Sequence, residues 1–376
     1  LLEHALLLAS LVQISPQICQ VDLRHLALRT LMALPDGCTV DSATIIRELS
    51  KVESAFLKQP RQSYRFVSVV SVAPTVSLPR QRIQDTGISF MGSLTGKLSS
   101  SRRSAISEFA PNGTLADNPR HQFVLARVHA RTPAEAAEYG LDAIDTVRGI
   151  WNLSLNRSTL MRLSTGHLRP INQLLLGPAH TVHDSSGTLA GKSLWYEADY
   201  THERQTFSNA AKMNRALKYS AAVRKKLNAS KYTSDMYAVL RRYSHALDCV
   251  DLGKAFLQLW GLLEQLTATQ SMSYDITIRR ASFVFIEQPY ARLRLSVLRD
   301  FRNASVHSGE EQADIEAQVF LLKQHVERLL EFHIAHCDRY ASIVEAAEFL
   351  DNPTSRAAID QRIEKLKLAR RYVVNA

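Results

Sequence analysis

The chain has 376 residues, 45% of them hydrophobic, with 46 Lys and Arg against 36 Asp and Glu for a formal charge of +10. That length exceeds one ordinary core and predicts two domains, while the composition excludes general disorder. No apolar run approaches the roughly 20 residues needed to cross a bilayer, and the basic excess favours a polyanionic partner, nucleic acid ahead of a membrane surface.

The opening LLEHALLLASLVQ is interrupted by Glu3 and His4 and lacks a basic leader, so it does not read as a signal peptide. Residues 1–58 alternate apolar clusters with breaks such as LPDG (Leu34–Gly37). In DSATIIRELSKVESAFL, Asp41 or Ser42 is the N-cap, and Ile45, Ile46, Leu49, Val52 and Phe56 recur at helical spacing. YRFVSVVSVAPTVSLP (Tyr64–Pro79) alternates and is rich in β-branched residues, which predicts a strand. Residues 80–120 are rich in Ser, Gly and Arg and predict a long irregular excursion around one short element. Within it, GSLTGKL (Gly92–Leu98) fails as a phosphate-binding P-loop, because three residues separate its glycines and Leu98 follows Lys97. HQFVLARVHA (His121–Ala130) returns to strand.

RTPAEAAEYGLDAIDTVRGIWNLSL then predicts a helix with Thr132 as N-cap, Pro133 at the first helical position and Glu135 at N3. INQLLLGPAHTVHDSSGTLAGKSLWYE predicts two strands joined at Asp184–Gly187, with His180 and His183 on opposite faces. The first 200 residues therefore read as α+β, and residues 201–376 as almost entirely helical, with the boundary near Tyr200. Asp251–Leu266, DLGKAFLQLWGLLEQL, is apolar nearly all round and predicts the central helix of a bundle. In Glu311–His336, Ile315, Val319, Leu322, Val326 and Leu329 form one stripe. The four cysteines, Cys19, Cys38, Cys249 and Cys337, form no CxxC pair, which excludes zinc-ribbon and redox motifs and fits a reducing cytoplasm. HIAHC (His333–Cys337) has no evident acidic or cysteine partner and reads as helix-surface histidines, so no metal is expected. No GxSxG elbow or Ser/His/Asp order is evident.

DFRNASVHSG (Asp300–Gly309) closes a helix that Pro289 opens, with Leu293, Val297 and Phe301 as its predicted buried stripe and Gly309 as its stop. Asn303 and His307 are four apart and share a face, while Arg302 is rotated from His307 by about 140°. Two readings stay open. One is a helix C-terminus whose cations complement the helix dipole. The other is phosphodiester chemistry on RNA, which carries its own 2′-hydroxyl nucleophile. His307 supplies an imidazole that titrates near neutrality, Arg302 a planar cation for the phosphate, and Asn303 a group that orients the histidine or donates to a phosphate oxygen.

Over residues 201–340, the AFLQLWGLLE helix, then LRDFRNASVHSG, then a long amphipathic helix resemble the HEPN superfamily, in particular the Apea-like HEPN domains of bacterial defence proteins. The family's mark is an Arg, a polar residue, a few more residues and a His, here Arg302, Asn303 and His307; serine follows His307 where relatives often have glycine. The resemblance implies an all-helical bundle, a homodimer that brings two motifs into one cleft, and cofactor-free, metal-independent RNA cleavage leaving a 2′,3′-cyclic phosphate. The first half then senses an unidentified trigger or holds the activity in check. Some relatives are catalytically silent, so a non-catalytic module binding RNA, a nucleotide or a protein is the alternative. Glu264 either stands behind the motif as a partner of Arg302 or His307 or makes a structural contact at the bundle edge. Arg299 extends the basic mouth toward RNA or is surface solvation, and Arg279, Arg280 and Arg224–Lys226 offer diffuse phosphate attraction.

Overall fold

A computed structural model describes residues 2–12, 15, 18–34, 41–157, 169–197, 200, 205–270, 272–308 and 314–373, the side chains of 305–308 excepted. The chain divides into two compact units, one of Leu1–Val147 with Leu174–Ala210 and one of Arg148–Gln173 with Ala211–Ala376. The sequence reading placed a single cut near Tyr200; in the structure, residues 148–173 group with the later helices.

The first unit opens with α1 (Leu2–Leu11), α2 (Gln20–Met32) and α3 (Ser42–Leu57). Asp41 caps α3, its carboxylate accepting from the Thr44 N–H at 2.7 Å. The strands β1 (Gln62–Val70), β2 (Gln81–Ile83), β3 (Thr86–Met91), β4 (Gln122–Ala130), β5 (Ala179–His183) and β6 (Trp195–Tyr196) form one antiparallel sheet in the order β2-β3-β4-β1-β5-β6. This unit is α+β.

The expected excursion at 80–120 is ordered more fully than its composition suggests. It contains the β2–β3 hairpin and a fourteen-residue helix, α4 (Gly96–Phe109). GSLTGKL leads into that helix, with Gly96 in the left-handed region at φ 58°. Periodicity hid α4 because its buried stripe of Leu98, Arg102, Ala105 and Ile106 contains an arginine. Arg102 is tolerated because its guanidinium is saturated. It donates to both Asp117 carboxylate oxygens at 2.9 and 2.6 Å, to the Val67 and Ala179 carbonyls at 3.1 and 2.9 Å, and to Thr181 Oγ1 at 2.9 Å.

The helix α5 (Pro133–Asn156) starts at the expected N-cap Thr132, with Glu135 reaching back one residue further. Thr132 Oγ1 accepts from the Glu135 N–H at 3.0 Å, and Glu135 accepts from the Arg131 N–H at 2.5 Å. Gly140 lets α5 lie against the sheet, since a Cβ there would come within 2.5 Å of the Phe66 ring. The DSSG turn also forms, the Asp184 carboxylate accepting from the Ser186 and Thr188 N–H groups at 2.8 and 3.0 Å, and β6 then pairs with β5.

The second unit contains the end of α5 and α6 (Ala210–Asn228), α7 (Thr233–Asp248), α8 (Leu252–Leu266), α9 (Tyr274–Ser282), α10 (Gln288–Ser308), α11 (Ile315–His336), α12 (Ile343–Phe349) and α13 (Arg356–Ala369). The helix α8 begins at the N-cap Asp251, whose carboxylate accepts from the Lys254 N–H at 3.0 Å. It is the central element, burying Phe256, Leu259, Trp260, Leu262, Leu263 and Leu266 and packing on α7 and α11. Val319, Leu322, Val326 and Leu329 of α11 are buried on the expected stripe. The same helix buries Lys323 and Glu327. Lys323 Nζ donates to the Asn156 carbonyl at 3.0 Å and to Glu327, and Tyr243 Oη donates to Glu327 Oε1 at 2.5 Å. Burial pushes the Glu327 carboxyl upward while Lys323 opposes it. Among the described residues, no helix is long and apolar enough to cross a membrane.

Two expectations in this unit are corrected. Leu293 and Val297 were expected inside but are 63% and 49% exposed; α10 turns Ala291, Leu295 and Leu298 inward instead, with Phe301 half-buried. Both stripes are apolar at helical spacing, so period alone does not choose between them. His333 was expected on the surface but is fully buried, its Nε2 hydrogen-bonded to the Leu266 carbonyl at 2.8 Å. Burial lowers its pKa to about 4, so it is neutral near pH 7.

Candidate active site on helix α10

The inward face of α10 runs through Ala291, Leu295 and Leu298, and the same spacing brings Arg302 to its far end. Arg302 is therefore half-buried. Its guanidinium carbon lies 5.3 Å from the centroid of the Tyr274 ring, a cation–π stack. Tyr274 opens α9, where Ser273 Oγ caps the helix, and its ring packs edge-on against Trp260 of α8 at 5.9 Å. Phe301 secures the same stretch of α10 against Phe256 at 4.9 Å.

The polar groups at this corner are unequally committed. Among the described residues, Arg302 Nε is buried with no hydrogen-bond acceptor, and its Nη1 makes a long contact of 3.5 Å to Asn303 Oδ1. Among the described residues, no carboxylate pairs with it. Asn303 is half-buried beside it. Glu264 accepts from Trp260 Nε1 at 2.8 Å, so its contact with the motif is indirect, running through Trp260 and Tyr274 to Arg302. Arg299 is held by Asp300 at 2.9 Å and Asp275 at 3.3 Å. Position 307 lies within α10, about 7.5 Å along the axis from Arg302, but the His307 side chain falls outside the described residues, as does Gly309. Sequence reasoning missed Tyr274, whose signal was an aromatic residue immediately after a serine N-cap.

Two further basic groups differ from expectation. Arg280 does not offer diffuse phosphate attraction. It is buried, and it donates to both Asp351 oxygens at 3.0 and 2.6 Å and to the Thr267 carbonyl at 2.8 Å. Arg279 joins the same carboxylate at 2.6 Å. These arginines hold the Asp351 carboxyl below its usual range, and they tie α9 to the end of α12. In the Arg224–Lys226 run, Lys225 and Lys226 are exposed and Arg224 is half-buried.

The sheet of the first unit holds a constellation that sequence order concealed. Ser68 Oγ is 2.8 Å from His180 Nδ1, and His180 Nε2 is 3.0 Å from Glu197 Oε1. The sequence hydroxyl, imidazole, carboxylate is that of a nucleophile relay. Ser68, however, is 0% exposed in the middle of β1, where no substrate carbonyl reaches it. The three groups bind β1, β5 and the residue after β6 together. Nor is a ligand set evident: among the described residues, no cluster of three or more His, Cys, Asp or Glu is positioned to hold a metal ion.

The α10 corner thus presents a planar, permanently charged group with one desolvated donor, a chemistry suited to an anion, on the helix that also carries His307. No family model, curated protein or solved structure matches this chain.

Proposed function

We propose that the chain is a HEPN-type, metal-independent endoribonuclease of a bacterial defence or toxin system, acting in the cytoplasm, with the helical unit as its catalytic part and the α+β unit as its regulator. The observation that carries this reading is Arg302: stacked on Tyr274, partly desolvated and without a carboxylate partner among the described residues. Arg102 fills all five of its donors and Arg280 makes three hydrogen bonds. Arg302 shares a buried Nε without a partner among the described residues with Arg224 and Arg294, and its place in the motif with Asn303 and His307 sets it apart. A phosphate oxygen suits its open edge.

In the proposed reaction His307 removes the proton from an RNA 2′-hydroxyl, and the 2′-oxygen attacks the adjacent phosphorus. The P–O5′ bond breaks, an acid returns a proton to the 5′-oxygen, and a 2′,3′-cyclic phosphate remains. Arg302 neutralises the charge gathering on the phosphoryl oxygens. Asn303, adjacent to Arg302, orients the histidine or donates to a phosphate oxygen.

Positions 302 and 307 are about 140° apart around one continuous helix, which favours a cleft assembled from two copies over one made by a single chain. The outward stripe of Ile286, Tyr290, Leu293 and Val297, all exposed, offers apolar surface for that homodimer.

The test is to incubate the purified protein with end-labelled RNA in EDTA. Fragments ending in a cyclic phosphate support the reading, and His307→Ala is expected to lower the rate by roughly 10²–10⁴-fold. Cleavage that survives at the wild-type rate in both His307→Ala and Arg302→Ala removes it.

A non-catalytic binding module is favoured by a different feature, a cleft of about 520 Å³ lined by Phe283, Phe285, Phe332 and Phe349 with Arg328 and Glu331. That volume and composition suit a planar ligand such as a nucleobase. Nucleotide binding abolished by Phe332→Ala, with no RNA cleavage, selects this second reading.

A further inference from the structure

The helix α13 buries none of its side chains, although Ile359, Ile363 and Leu366 share one exposed stripe. A helix this short is marginal in water without tertiary contacts, because isolated helices under about 12–15 residues barely offset nucleation. Its local supports are weak. Ser355 Oγ caps the Ala358 N–H at 3.2 Å, and Lys367 reaches Glu364 at 2.8 Å on open surface. The stripe calls for a partner, and its spacing and charges indicate which.

Ile359, Ile363 and Leu366 follow one another at steps of four and three within α13, which ends at Ala369. That is the spacing of a coiled-coil seam two heptads long, with Arg356 and Ile363 at a positions and Ile359 and Leu366 at d positions. In a parallel pair of identical helices, a faces a. Arg356 then meets the same arginine of the other copy, and Arg362 at g faces the partner's Lys367 at e. Every charged contact is repulsive.

In an antiparallel pair, a faces d. Ile363 packs on the partner's Leu366 twice at the centre. Asp360 and Lys367, both at e, face each other twice across the two-fold axis. We propose that α13 is an association helix that pairs antiparallel with α13 of a second copy of this chain. This pairing stands apart from RNA cleavage and from the α10 surface, and substitutions on its stripe leave both untouched.

The experiment is sedimentation velocity on the full chain over a range of concentrations. Because α13 buries nothing in its own fold, variants on its stripe leave the rest of the chain folded, which circular dichroism verifies. Ile363→Asp with Leu366→Asp is expected to weaken self-association by about tenfold or more. Asp360→Lys alone and Lys367→Asp alone each weaken it, and the two together restore it. Under mild oxidation, a chain carrying Asp360→Cys and Lys367→Cys is expected to form intermolecular disulfides between those two positions. A wild-type chain that stays monomeric removes the α10 homodimer as well as this pairing, and self-association unchanged by the paired aspartates overturns the proposal. So does an aspartate variant that loses RNA binding while self-association persists, since the stripe's occupant is then nucleic acid.

Discussion

The guanidinium of Arg302 lies over the ring of Tyr274 at 5.3 Å while its Nε remains buried and without an acceptor. The ring fixes one face of the cation and leaves its edge for an anion. Tyr274→Ala is therefore expected to weaken RNA binding and slow cleavage by about 2- to 30-fold, the range of a cation–π contact of roughly 0.5–2 kcal/mol. Tyr274→Phe keeps the ring and is expected to stay near wild type. Filter binding and single-turnover cleavage with both variants check this; equal losses in the two assign the effect to the hydroxyl.

The Lys323–Glu327 pair gives a stability prediction within the bundle. Both side chains are buried, and Tyr243 and the Asn156 carbonyl complete their hydrogen bonds. Lys323→Met alone leaves a buried carboxylate and is expected to cost about 3–5 kcal/mol. Adding Glu327→Leu is expected to recover part of that loss, because no charge then remains unpaired. Denaturant melts of Lys323→Met, Glu327→Leu and the double variant measure it, and strictly additive losses count against a coupled pair.

His325 supplies the pH dependence. It is buried beside Phe285 at 4.7 Å, neither ring nitrogen has a hydrogen-bond partner, and desolvation lowers its pKa from 6.5 to about 3. The unfolded chain takes up this proton below pH 6.5 and the folded chain does not until about pH 3. Stability from His325 is thus complete above pH 6.5 and falls as the solution is acidified, with an upper slope of about 1.4 kcal/mol per pH unit. His325→Phe keeps the shape and removes two unsatisfied nitrogens, so it is expected to match or exceed wild-type stability and to flatten the decline between pH 6.5 and 5. An unchanged pH profile contradicts this account.

Caps and strongly apolar segments were legible in the sequence. Asp41 and Thr132 each announce a helix through a side chain that satisfies a free N–H, and α8 announces its burial by composition. What escaped were polar residues whose burial depends on distant partners. Arg102 needs Asp117 and carbonyls of two strands, Arg280 needs Asp351, and His333 needs the Leu266 carbonyl. The phase of α10 escaped for a related reason: Leu293 and Val297 outrank Ala291 in hydrophobicity, yet the inward face is the one that ends in Arg302. The site was therefore legible as a motif, whereas the aromatic support that makes Arg302 an anion receptor was not.

The account stands on Arg302 and His307 acting on a phosphodiester through the substrate's own 2′-hydroxyl. The most direct measurement compares cleavage, in EDTA, of an RNA oligonucleotide with that of the same oligonucleotide carrying 2′-deoxy sugars at the cleaved positions. The account predicts cyclic-phosphate ends from the first, no cleavage at the substituted positions of the second, and loss of activity in Arg302→Ala and His307→Ala alike. Cleavage that tolerates the deoxy sugars, or that persists in both variants, contradicts it.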